Sequence, residues 1–322
     1  MKMNIVYAAD DKFVRHTYVS MMSLFETQKH INNLNVHIVD NGIKVSNKEK
    51  LNNMAANYGR VIKYLPFELV EGELQGVKLW GGSLAAYARL FLARYLSEDR
   101  VLYMDADSVV VGDLEPLFQM DISDYYIAAV QDTAGLKARM SIGLDAEDRY
   151  INSGFTFINL KKWREDKIEK KFLEFIAKFN GQVPCCDQGT LNGVCRGKIL
   201  ILPPKYNLMT PMLTFKAEEA EKFFEVFNYY SQQELDEAIS NPIFIHYVGG
   251  FFARPWFKNG NHPKQDLYRF YMERSPWKDN FLENEKLGMR TEGLKLAYKY
   301  LPFPVFIGVY KITRFFKQTL EK

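Results

Sequence analysis

Apolar positions along the chain follow two periods that alternate. Residues 5–9 form a short apolar run cut off by Asp10 and Asp11, and the segment behind it sets Val19, Met22 and Phe25 at helical spacing. A strand, a loop and a helix are expected in that order. The unit repeats, with 35–39 reading as a buried strand, 46–58 as a capped helix and 61–65 as another strand. Farther on, Leu84, Tyr87, Leu90, Phe91 and Tyr95 mark one side of a helix over 83–96 that feeds the apolar run 101–104. Residues 108–111 read as the same sheet resumed, and 126–130, 154–159, 198–202 and 243–247 as further strands, with a helix over 161–179. This alternation predicts an α/β fold, a mostly parallel central sheet with helices on both faces. Residues 203–290 mix Pro, aromatic and amphipathic pieces without clear alternation. A catalytic domain over 1–260 and a C-terminal helical region over 261–322 are the expected division.

Composition narrows the class. The chain has 322 residues, 47% of them hydrophobic and 25% charged, which suits a packed globular protein. Its 42 basic and 39 acidic side chains leave a net charge of +3, far from the basic stripe of a dedicated nucleic-acid binder. The surplus sits in the tail, where residues 290–322 hold seven Lys or Arg against two Glu. There Lys295, Lys299, Lys311, Arg314 and Lys317 interleave with Tyr298, Tyr300, Phe303, Phe306, Tyr310, Phe315 and Phe316. The uncharged stretch 300–310 contains Pro302 and Pro304 and is too short to span a bilayer. Packing of Phe306, Val309, Phe316 and Leu320 on the core is one reading of the tail, and contact with an anionic membrane surface is the other. Cys185, Cys186 and Cys195 fit neither a disulfide framework nor a metal-binding CxxC, and the N-terminal run does not read as a signal peptide. A cytoplasmic protein is expected.

The chemistry is concentrated where strands end. Ligands of open α/β sheets bind at the carboxyl ends of the strands, where Asp10-Asp11 and Asp105-Ala106-Asp107 both fall. Carboxylates at i and i+2 can share a hard divalent cation, which can neutralise a diphosphate; turn capping is the alternative. No basic residue adjoins the second pair in sequence, so its acids are expected to lack local basic partners. His246 ends an apolar strand and could complete a manganese-type coordination sphere, or be a satisfied core residue. Gly249 and Gly250 would allow backbone amides to approach a phosphate, and Arg254 could add a forked donor. Arg89, on the predicted helix, reads by itself as solvated surface. Asn152, Asp187 and Gln188 lie on loops suited to sugar hydroxyls, with helix capping the alternative for Asp187.

Taken together, six ordered motifs resemble the family 8 glycosyltransferases, retaining enzymes that include bacterial lipooligosaccharide galactosyltransferases and glycogenin. The motifs are IVYAADD at 5–11, AAYARL at 85–90, VLYMDADSVVVGDLEPL at 101–117, YINSGFTFINLKKW at 150–163, DQGTLN at 187–192, and HYVGG with RPW at 246–256. The resemblance implies a GT-A type nucleotide-sugar fold and transfer of a hexose, galactose or glucose, from a UDP-sugar. Position by position, it implies that Ala8, Asp10 and Ala106 line the nucleotide and Arg89 the donor sugar or its phosphate side. Asp105, Asp107 and His246 would hold Mn2+ or Mg2+, and Gly249 with Arg254 would meet the diphosphate. Asp132, Asn152, Asp187 and Gln188 would line the sugar, with Gln188, Asp187 and Asp132 nearest the reacting carbon. The acceptor implied is a glycan or lipid-linked oligosaccharide at the inner face of the cell membrane. This sequence places four residues between Gly249 and Arg254, where the family pattern has two between its glycine and lysine, and Lys12 where bacterial relatives carry asparagine. An inactive nucleotide-sugar or glycan-binding protein, and a nucleotidyltransferase using the same metal site, are the competing readings.

Overall fold

Strand β1 (Lys2–Ala9) is apolar on both faces because it runs through the middle of a sheet covered on both sides. Met3, Ile5 and Tyr7 enter one hydrophobic cluster, and Val6 enters the other. The computed structural model describes residues 2–79 and 83–320, with side chains through residue 312. The remaining strands are β2 (Asn33–Asp40), β3 (Ile62–Pro66), β4 (Arg100–Met104), β5 (Ser108–Val110), β6 (Ile127–Gln131), β7 (Ile151–Asn159), β8 (Ile199–Ile201), β9 (Leu208–Met209) and β10 (Phe244–His246). Seven form one sheet in the order β3-β2-β1-β4-β7-β6-β8. Neighbours pair in parallel except at β7, which is antiparallel to both β4 and β6. All nine residues of β7 are buried.

Three expectations are corrected. Residues 108–111 do not resume the main sheet: β5 joins a separate three-stranded sheet in the order β5-β10-β9. The DxD motif is thus the crossing between two sheets. The helix expected over 83–96 is a 3-10 helix, Ala85–Phe91, followed by one α-turn, Leu92–Tyr95. Leu84, Tyr87 and Leu90 are spaced by three, the repeat that eclipses side chains in a 3-10 helix, and Tyr87 through Phe91 are all buried. The helix expected over 161–179 is broken into Leu160–Glu165 and Ile168–Lys178 by Lys167, whose φ of 51° is left-handed. The break lets Trp163 and Phe172 meet edge to face with ring centroids 5.1 Å apart.

The C-terminal helices Met289–Tyr300 and Phe303–Leu320 lean on an aromatic cluster. Phe306 is fully buried, stacked on Phe223 at 5.4 Å, and the Tyr298 hydroxyl donates to the Thr214 carbonyl and to Glu219. Core packing therefore holds at Phe306, whereas Val309 is exposed. The side chains of Arg314, Phe315, Phe316, Lys317 and Leu320 lie outside the described residues.

Candidate active site

The DxD turn is fixed from three directions. The amide of Asp105 donates to the Gly154 carbonyl of β7, the Ser108 hydroxyl donates to the Asp105 carbonyl, and the Asp107 carbonyl accepts from the Tyr247 amide beside β10. Antiparallel register sets His246 opposite Ser108, one residue past Asp107, and this closes 139 residues of sequence separation. His246 Nε2 lies 3.0 Å from Asp107 Oδ1 and 3.8 Å from Asp105 Oδ2. Its Nδ1 has no hydrogen-bond partner. One ligand atom from each of these three residues falls within 4.8 Å of the other two. A Cβ added at Gly154 would stand 2.3 Å from His246 Cε1 and 2.6 Å from Asp105 Oδ2, so the cluster occupies space that only glycine leaves open. Burial alone would lower the His246 pKa, but attraction to Asp107 and Asp105 outweighs it and holds the pKa above the usual histidine value. Burial works against ionised Asp107, and its attraction to His246 nevertheless holds it below the usual carboxylate range. A second trio, His30, Asp113 and Glu115, sits at the surface, with His30 Nε2 3.3 Å from Asp113 Oδ1.

Arg89 corrects two expectations, the surface reading of this residue and the lack of basic partners for the acids. Its side chain is only 3% exposed; Nη2 donates to Asp105 Oδ1 at 2.8 Å and Nε lies 3.1 Å from Asp187 Oδ2. Nη1 donates to the Ser153 carbonyl, and the guanidinium lies 4.1 Å above the Tyr103 ring. The 3-10 turn therefore delivers the cation that neutralises two buried or half-buried carboxylates, which would otherwise be expensive to bury. Asp187, in the first turn of the helix Cys186–Val194, also accepts from the Ser153 hydroxyl. Burial pushes its carboxyl above the usual range, and Arg89 offsets part of that.

Beside this pair lies a polar knot. Asn152 Nδ2 donates to Asp132 Oδ2 at 3.0 Å and to Gln188 Oε1 at 3.2 Å, and Gln188 Nε2 donates to the same Asp132 oxygen at 3.0 Å. The Ser153 amide also donates to Gln188 Oε1, so the orientation of that amide group is fixed by three contacts. Both clusters open into one cavity of about 810 Å³, which Ala8, Asp10, Lys12, Ala106, Gly249 and Arg254 also line. Of the first acidic pair only Asp10 faces it. The Asp10 carboxylate accepts from the amides of Lys12 and Phe13, while Asp11 turns away and accepts from the Lys44 amide and the Asn47 side chain at the start of the helix Val45–Asn57. The Lys44 amide and Asn47 hold the Asp11 pKa down.

Arg254 reaches the cavity already paired. Its amide donates to Glu285 Oε2 at 2.7 Å, and Nε donates to Oε1 at 2.8 Å. Nothing in the local sequence marks Glu285 as its partner, since the two meet only through the fold. Gly154 and the cavity-lining Phe215, Phe224 and Phe251 were likewise not singled out by pattern. The one sequence signal for the aromatic group is the density of Phe in 215–227 and 251–252.

A mixed sheet with a DxD turn at its carboxyl edge, joined to a histidine from a small second sheet, defines a glycosyltransferase of the GT-A type. The sequence model of Glycosyl transferase family 8 matches residues 4–260, and the chain belongs to that family. General stress protein A of Bacillus subtilis (strain 168) is 27% identical over 283 residues, covering 85% of this chain and 94% of that protein. The lipopolysaccharide 1,2-glucosyltransferase of Escherichia coli (strain K12) is 28% identical over 309 residues, 93% of this chain and 85% of its relative. Among solved structures, galactosyltransferase LgtC in complex with donor and acceptor sugar analogues matches with a TM-score of 0.71 at 25% identity, covering 86% of this chain and 99% of that one.

Proposed function

We propose that this protein moves a hexose, glucose or galactose, from a UDP-sugar to a glycan acceptor with retention at the anomeric carbon, assisted by a divalent cation. The observation that carries the reading is the meeting of Asp105, Asp107 and His246 in the same cavity as the Asp132–Asn152–Gln188 knot. Two carboxylates and one imidazole suit Mn2+, with Mg2+ the next choice, and leave coordination positions for diphosphate oxygens. A cation held there supplies positive charge to the diphosphate as the bond from sugar to phosphate breaks. Ala8, Asp10 and Ala106 border the space for the nucleotide, and the amides near Gly249 add donors for the developing phosphate charge. Arg89 acts beneath the sugar by holding Asp105 and Asp187 in place.

Asp187 is ion-paired and 4% exposed, which leaves it poorly placed to attack an anomeric carbon. Gln188 is a weak nucleophile whose amide is locked by Asp132 and Ser153. Asp132 Oδ2 is held by the Asn152 and Gln188 amides, and the reading adopted is same-face attack: the acceptor oxygen bonds to the carbon as the phosphate leaves, and its proton passes to the departing phosphate oxygen. Two relatives are named for lipopolysaccharide, and the acceptor class proposed here is lipopolysaccharide or another cell-surface polysaccharide precursor.

The tail is the proposed membrane contact, on the cytoplasmic side. Leu296, Tyr300, Leu301, Val305 and Ile312 are exposed there, with Lys299 and Lys311 among them. Among the described residues no helix is long and apolar enough to cross a membrane. Calorimetric titration of UDP with Mn2+ tests the metal site. Wild type is expected to bind, and Asp107→Asn to lose at least tenfold in affinity with an unchanged circular dichroism spectrum; equal binding by the variant overturns the assignment.

A further inference from the structure

Arg254 lines the cavity from a stretch with no regular structure of its own: residues 247–256 are neither helix nor strand. A long side chain on such a loop gives up orientational freedom whenever it grips a ligand. Here part of that freedom is already removed. Glu285 Oε1 accepts from Nε, at 2.8 Å, and from Nη2, while Oε2 accepts from the Arg254 amide at 2.7 Å. The Trp256 and Phe257 rings lie 5.3 and 5.5 Å from the guanidinium carbon. One edge of the planar fork is thus occupied, and Nη1, at its far end, makes no hydrogen bond among the described residues. Glu285 is itself anchored independently of the guanidinium. Its amide donates to Asn259 Oδ1 at 2.8 Å, and its carbonyl accepts from Asn259 Nδ2 at 3.0 Å. Three residues earlier, the Leu282 amide donates to the Trp256 carbonyl and the Leu282 carbonyl accepts from the Lys258 amide. Only 11% of the Glu285 side chain is exposed. A carboxylate fixed in this way is a brace rather than a loose counter-ion that a phosphate would displace. It also comes from beyond residue 260, where the match to the family model ends.

We propose that Glu285 is a positioning residue for the donor: it holds the Arg254 fork by its Nε edge so that Nη1 is presented to the diphosphate. This rests on the nucleotide-sugar reading of the cavity. Glu285 touches no substrate, and its effect passes through Arg254. A guanidinium that gives one edge to a carboxylate can still donate to a phosphate oxygen from its end, because its N–H groups point in different directions. Ordering the side chain before the ligand arrives strengthens binding by about three- to tenfold. The charge of Glu285 acts the other way, since it weakens the pull of Arg254 on a phosphate. The Arg254 side chain is 34% exposed, so solvent screens that charge and the gain from orientation is the larger effect. The donor site therefore extends past the family match into the C-terminal region, at least as far as Glu285.

The test titrates the full-length protein, saturated with Mn2+, with UDP and with uridine, which lacks the phosphates. Arg254→Ala is expected to weaken UDP binding about tenfold or more and Glu285→Ala about three- to tenfold, with uridine affinity within about twofold of wild type in both. Arg254→Ala with Glu285→Ala is expected to bind UDP no more weakly than Arg254→Ala alone, since Glu285 acts through that side chain. Glu285→Gln, of the same size and with one oxygen left for Nε and Nη2, is expected to recover most of the loss. UDP binding by Glu285→Ala as tight as wild type or tighter overturns the proposal, the tighter result meaning that the carboxylate competes with the diphosphate. So does an equal loss of UDP and uridine affinity, or losses that add in the double variant, since either makes Glu285 a support of the fold alone. A Gln variant no better than the Ala variant also overturns it, because a held fork is then not what matters. Failure of wild type to bind UDP is a different result: it removes the donor reading, and the proposal with it.

Discussion

Gly154 shows how much of the site depends on one missing side chain. Gly154→Ala would drive a methyl group into His246 and Asp105, and both flank a buried strand that cannot retreat. Mn2+ affinity is expected to fall ten- to a hundredfold, as measured by electron paramagnetic resonance titration; unchanged affinity would mean these residues are not the ligands. Proton linkage is a second consequence. His246 is held above its ordinary pKa by Asp107 and Asp105 despite burial, and a metal ligand must be neutral. Mn2+ affinity should therefore drop as pH falls through that raised value, with up to one proton released per ion bound, and level off above it. The same shift makes the metal-free protein most stabilised by this group below about pH 6.5, a contribution lost as pH rises through the folded-state value. Calorimetry in buffers of different ionisation enthalpy reads the proton directly, and proton-neutral binding at pH 6 would contradict the linkage. The three candidate ligands could be picked out in sequence as carboxylates after an apolar run and a histidine ending a strand, and the fold brings their ligand atoms within 4.8 Å of one another. Gly154 could not, because its need for space comes from β10, some ninety residues away.

At the scale of elements, the decisive piece is the 3-10 segment Ala85–Phe91. Its period-three stripe was visible as apolar spacing, yet a helix of either kind would explain it, and the register that buries Arg89 is set by Tyr103 and β7. Arg89 carries the charge that balances Asp187 in an almost solvent-free position. Arg89→Leu should cost about 3–5 kcal/mol, because it strands a buried carboxylate, and Arg89→Leu with Asp187→Leu should recover much of that. Urea unfolding of the single and double variants checks both numbers. A single variant within about 1 kcal/mol of wild type would show that the pair is not the buried neutralising contact described. The strands up to β4 were readable from the apolar runs, though their order in the sheet was not. The second sheet was not, since the pairing of β5 with β10 depends on residues 134 positions apart in the chain, Val110 and Phe244.

Across the whole molecule, the tail combines a packed root with an exposed outer surface. Phe306→Ala should destabilise the fold by about 3–5 kcal/mol, as expected for a fully buried aromatic side chain. Deleting residues 312–322 should leave the melting temperature nearly unchanged and weaken binding to vesicles containing phosphatidylglycerol, measured by co-sedimentation. A truncated protein that still sediments with those vesicles would remove the membrane role from this segment. The sequence pattern alone could not divide the stripe, because an interleaved aromatic and basic helix fits a core and an interface equally well; the stacking of Phe306 on Phe223 assigns the inner part.

The central claim, metal-assisted departure of UDP from a hexose, is tested most directly by UDP release. UDP-glucose and UDP-galactose would each be incubated with the protein and Mn2+, or with EDTA, with water as the only acceptor. The account predicts slow hydrolysis of one donor, lost in EDTA and absent in Asp107→Asn. Hydrolysis that EDTA leaves unchanged, at the same rate in Asp107→Asn, would contradict it.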